Sequence, residues 1–121
     1  MRKLIVNNFV TIDGYYEAKD KTFDGFFEHY HPDYAGSDHF DYYAAECLRA
    51  ADTLILSGRT SFLGNMSYWT GVPNDPKATP IRRELASLFQ NIEKVVVSDK
   101  ICPEELAPWE NTRIIRVKDA P

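Results

Sequence analysis

Short apolar runs separated by polar, glycine- and proline-bearing stretches set the layout of this chain. Leu4 to Thr11 is almost continuously apolar, with Asn7 and Asn8 inside it, which predicts a strand covered on both faces. Ile12-Asp13-Gly14 ends it as a turn. Tyr15 to Gly36 has no clean period and carries Gly25, Pro32 and Gly36, so it reads as a long loop with room for one short helix. Phe40, Tyr43, Ala44, Cys47, Leu48 and Ala51 then recur at helical spacing, predicting a helix from about His39 to Ala51 capped by Ser37 or Asp38. Leu54 to Ser57 reads as a strand, followed after Gly58 by a short helix over about Thr60 to Leu63 and a loop from Gly64 to Asn74. Thr79-Pro80 opens another helix, whose stripe of Ile81, Leu85, Leu88 and Phe89 runs to about Asn91. Lys94 to Ser98 and Thr112 to Val117 read as strands around a loop from Asp99 to Asn111 that holds Pro103 and Pro108. Strands alternating with helices predict one α/β domain with a largely parallel sheet, where ligands sit at the carboxyl ends of strands.

One strand end stands out chemically. In Thr53-Leu-Ile-Leu-Ser57-Gly58-Arg59-Thr60-Ser61-Phe62 an apolar strand runs into a glycine, a guanidinium and two hydroxyls. Gly58 can take a crowded or left-handed conformation, and the free N–H groups of the helix that follows attract an anion. Arg59 offers a fork of donors suited to phosphate oxygens, while Thr60 and Ser61 can cap the helix or donate to the same anion. An ordinary helix start with a surface arginine has the same residues. The other strand ends, Val10-Thr11-Ile12-Asp13-Gly14 and Val97-Ser98-Asp99-Lys100, are also polar, and each is equally readable as a plain turn.

Composition narrows the classes. The 121 residues, 44% apolar, suffice for one core. No apolar run approaches a membrane span, and Met1-Arg-Lys-Leu-Ile-Val6 enters a strand instead of a signal-peptide core, so the expectation is a soluble cytoplasmic protein with no membrane partner. Cys47 and Cys102 lack the spacing of a zinc knuckle or disulfide framework, and Cys47 falls on a helix face. The net charge is −4, and the acids concentrate in the first half of the chain, which argues against nucleic acid. Glu28, His29, His31, Asp38 and His39 lack metal-ligand spacing, and the His29-x-His31 pair falls in a loop with no regular scaffold, so no metal is expected.

The blocks "FVTIDG", "LILSGRTSF" and "KVVVSDK", in this order and separation, resemble the dihydrofolate-reductase-like fold family. Within it, the chain is similar to stand-alone relatives of the C-terminal reductase domain of the riboflavin-biosynthesis deaminase-reductase. The resemblance implies a sheet of that type flanked by helices, an NADPH-dependent reductase such as the 5-amino-6-(5-phosphoribosylamino)uracil reductase, and a small heterocyclic or carbonyl substrate. It places Val10, Thr11, Ile12 and Gly14 beside the nicotinamide and Asp13 at the cleft mouth. It also gives Gly58, Arg59 and Thr60 to the phosphate, with Ser98 joining Arg59 at the adenosine 2′-phosphate and Lys100 available as a second cation. Asp99 is a like charge there, which either points away or shifts preference toward NADH. The family's substrate-binding carboxylate falls near Asp41, which as an acid in a first helical turn is also suited to the dipole.

Ten aromatic residues lie between Tyr15 and Tyr43, enough for a slot for a flat heterocycle or for a dimer interface. Tyr68 and Trp69 fall in the loop after the short helix, where packing or a pocket wall would use them. The family continues past the position of Val117 with further strands and a glycine-rich cofactor segment. The resemblance therefore implies either the N-terminal part of one such domain or a sheet completed by a partner chain, and the expectation from bare sheet edges is a homodimer. A non-catalytic ligand-binding or interaction module that keeps the fold is the competing expectation.

Overall fold

The computed structural model describes residues 3–8, 10–11, 13–15, 19 and 37–120. Two compact units emerge, Met1–Ser37 and Asp38–Pro121.

In the first unit no described residue is in a helix or strand. The strand expected over Leu4–Thr11 is therefore not formed at its described positions. Apolar sequence makes a strand only when a neighbouring strand supplies the ladder, and no described residue does so here. The turn at its end is present. The Gly14 N–H donates to the Thr11 carbonyl at 2.9 Å, the Thr11 N–H donates to the Tyr15 carbonyl at 2.7 Å, and Gly14 has φ 89°, which glycine adopts freely. The loop or short helix expected between Tyr15 and Gly36 lies outside the described residues apart from Tyr15 and Lys19.

The second unit runs α1 (His39–Arg49), β1 (Thr53–Ser57), α2 (Arg59–Gly71), a 3-10 turn (Val72–Asn74), α3 (Pro80–Asn91), β2 (Glu93–Val97), a 3-10 turn (Pro103–Leu106), β3 (Thr112–Ile115) and a last 3-10 turn (Val117–Asp119). The three strands are parallel in the order β1-β2-β3, with rungs Leu56↔Val96↔Ile114 and Leu54↔Lys94↔Thr112. The sheet is thus parallel and flanked by helices, as the pattern predicts. β3 stops at Ile115, short of Val117, which enters the last 3-10 turn.

α3 follows its sequence signals: Pro80 stands at the first helical position and the Thr79 hydroxyl accepts the Arg82 N–H at 3.3 Å. α1 ends at Arg49, two residues before the expected Ala51. α2 overturns the expectation of a short helix and a loop, because it runs through Gly64 to Gly71. A helical glycine costs about 1 kcal/mol. Burying Phe62 and Met66, one turn apart, contributes about 1.5 to 3 kcal/mol each and outweighs it. Back-bonds from Asn65 Nδ2 to the Ser61 carbonyl (2.9 Å) and from Thr70 Oγ1 to the Met66 carbonyl (2.7 Å) satisfy side chains that otherwise favour loops.

Two apolar clusters hold the unit together. Phe62 and Met66 of α2 pack with Val96, Ile101 and Trp109, and Ala44 and Ala45 of α1 pack with Ile81 and Leu85 of α3. Trp69 and Phe89 border both clusters and stack at 4.5 Å, so Trp69 is a packing residue on α2 and not part of a loop.

Candidate functional site at the carboxyl ends of β1 and β2

Ser57 and Val97 share a rung, so the chain leaves β1 and β2 side by side at Gly58 and Ser98. The Gly58 N–H extends the ladder to the Val97 carbonyl at 3.0 Å, and the Ser98 N–H extends the next one to the Ile115 carbonyl, also at 3.0 Å. Gly58 then turns with φ 76° and ψ 158° and becomes the N-cap of α2. A side chain there would be strained, although a Cβ would meet nothing within 4 Å. The strand end is consequently open, and Arg59, Thr60 and Ser61 supply the first turn of α2, whose N–H groups lack helical acceptors. Arg59 and Thr60 are exposed.

Arg59 is engaged by a residue that the sequence analysis did not single out. Its Nε donates to Glu105 Oε1 at 2.9 Å and its Nη2 closes on the same oxygen. Glu105 Oε2 accepts the Cys102 N–H at 2.9 Å, which pins the carboxylate to the start of the 3-10 turn after β2. Donation from Arg59, reinforced by the Cys102 N–H, holds the Glu105 carboxyl below the usual carboxylate range, and the same contact raises Arg59. The signal for Glu105 was legible as a helix start, Cys102-Pro103-Glu104-Glu105, but its partner is 46 positions away.

The loop after β2 is tightly ordered. Ser98 is buried, and its hydroxyl oxygen accepts the Lys100 N–H at 3.1 Å, leaving the exposed Lys100 at the turn. Asp99 Oδ1 accepts the Val117 N–H at 3.0 Å. Arg116, also not anticipated, donates from Nη1 to the Ser98 and Ile101 carbonyls at 2.8 and 3.0 Å and ties this loop to the end of β3.

Asp41 is 4% exposed on the first turn of α1. Its Oδ2 accepts Arg82 Nε and Nη2, both at 2.8 Å, so the carboxylate is joined to α3. Arg49 and Glu84 form a second α1–α3 pair, Nε to Oε1 at 2.8 Å. In the first unit, Asp13 accepts the Thr11 hydroxyl, and the Tyr15 N–H donates to Thr11 Oγ1 at 2.9 Å. Val10, Thr11, Asp13 and Gly14 thus belong to that unit's described residues, while Gly58, Arg59, Thr60, Ser61, Ser98, Lys100 and Asp41 belong to the other. Ile12, Glu28, His29 and His31 lie outside the described residues.

A shallow open hollow lined by Asn91, Glu93, Asn111, Thr112 and Arg113 lies at the amino ends of β2 and β3, away from the glycine turn. Among the described residues no group of three or more His, Cys, Asp or Glu could hold a metal ion, and no helix is long and apolar enough to cross a membrane. No family model, curated protein or solved structure matches the chain.

Proposed function

We propose that this protein is an NADPH-dependent reductase of a small heterocyclic or carbonyl substrate, as its motif resemblance to the riboflavin-pathway reductase implies. The observation that carries the reading is the Gly58 turn: it opens a parallel strand end onto the exposed first turn of α2, led by a guanidinium and two hydroxyl residues. These groups fit a phosphorylated cofactor. Arg59 and Lys100 would hold its phosphate oxygens, Thr60 and Ser61 would donate from the helix start, and Ser98 would fix the turn that presents Lys100. When bound, NADPH supplies the hydride. Asp13 remains a candidate for orienting substrate amide or hydroxyl groups.

Arg59→Ala should weaken NADPH binding by about tenfold or more while leaving NADH nearly unchanged, because a charge-assisted contact to the extra phosphate is lost. Fluorescence titration of both cofactors checks this, and equal losses would remove Arg59 from the phosphate.

The second reading, a ligand-binding module without turnover, draws support from Asp41. Its one candidate role in chemistry competes with the ion pair of its Oδ2 with Arg82, which makes it a brace between helices.

A further inference from the structure

We propose that Glu105 is a built-in competitor for the anion site, its carboxylate occupying Arg59 until a phosphate displaces it. The proposal rests on the reading of Arg59 as a phosphate-binding residue and names how that site is regulated. The Arg59 guanidinium has a fixed partner. Here two of its nitrogens converge on one oxygen of Glu105, while the other oxygen is held by the Cys102 backbone. The carboxylate is therefore delivered by the loop that follows β2, the strand neighbouring the one that delivers Arg59.

A carboxylate and a phosphate present the same fork of acceptor oxygens to a guanidinium. They cannot share it without placing like charges within a few ångströms of each other, so phosphate binding requires Glu105 to withdraw. Withdrawal also frees the Cys102 N–H, coupling occupancy of the site to the 3-10 turn Pro103–Leu106. The pair is partly exposed, with Arg59 at 47% and Glu105 at 26% side-chain accessibility, which keeps exchange inexpensive. A fully buried pair would instead block the site.

The test is a titration of NADPH and NADH against the wild type, Glu105→Gln, Arg59→Ala and the double variant, at low and high salt. Gln keeps an acceptor for the Cys102 N–H and loses the charge. Glu105→Gln should bind NADPH about three- to tenfold more tightly, with NADH far less affected and the gain shrinking in high salt. The double variant should bind as Arg59→Ala alone does, because the gain acts through Arg59. Glu105→Ala, which also loses the Cys102 bond, should show the same sign. Unchanged or weaker binding in both Glu105 variants, with Arg59→Ala still selective against NADPH, would overturn the competitor and make Glu105 a positioning residue. If Arg59→Ala leaves NADPH binding unaltered, the phosphate reading fails and the proposal with it.

Discussion

Lys94 shows how one side chain can be both a liability and a fastener. It sits in a strand with no exposed surface, yet its ammonium donates to the carbonyls of Phe89, Gln90 and Ile92 at 2.8, 3.1 and 2.7 Å and lies 5.2 Å from the Trp109 ring. Those carbonyls belong to the end of α3, where cations are favoured, so the lysine closes the helix that leads into its own strand. Lys94→Met should cost about 2 kcal/mol or more, since the carbonyls lose a buried donor. Burial pushes the ammonium down from the ordinary lysine range. Between that lowered value and the ordinary one the unfolded chain binds more protons, so wild-type stability should rise with pH across this window. Urea unfolding from neutral pH to about 10 should show a rise for the wild type that Lys94→Met lacks.

At the scale of elements, α1 and α3 are joined by an apolar seam and by two ion pairs of opposite polarity, Asp41–Arg82 and Arg49–Glu84. Only the first has a buried member, with side-chain accessibilities of 6% for Asp41 and 36% for Arg82 against 44 to 49% for the other pair. Removing a buried charge partner costs more than removing an exposed one. Asp41→Asn should therefore destabilise the fold by about 1 to 3 kcal/mol, and a cycle with Arg82→Met should show a coupling of at least about 0.5 kcal/mol. Thermal unfolding of the four proteins measures this. If Asp41→Asn instead lowers turnover with stability intact, the residue faces substrate and the brace is secondary.

For the molecule as a whole, the sheet raises the question of its edges. Among the described residues, β1 and β3 each have a ladder partner on one side. β3 carries Arg113, whereas Thr53-Leu-Ile-Leu-Ser57 carries no charge or proline, and Ile55 is 58% exposed. An uncharged edge is a template for another strand. The expected outcome is concentration-dependent association that Ile55→Lys reduces, read by sedimentation velocity with circular dichroism confirming the fold. A monomer at all concentrations would show that this edge has no such role.

The sequence alone determined what depends on neighbours in the chain. Apolar runs placed β1, β2 and β3, the Thr79-Pro80 signal placed the start of α3, and Asp13-Gly14 and Gly58 marked turns, because each rests on local periodicity or backbone freedom. Residues distant in sequence decided the rest. α2 continues through Gly64 because Phe62 and Met66 find Val96 and Trp109, and the segment Leu4–Thr11 is not a strand at its described positions because a ladder needs a partner. The grouping of Gly58, Arg59, Thr60 and Ser61 between the end of β1 and the start of α2 was legible, but the partners of Arg59, Asp41 and Lys94 were not. Ion pairs and buried donors are chosen by which surfaces meet in space, and that is settled only when the helices close over the sheet.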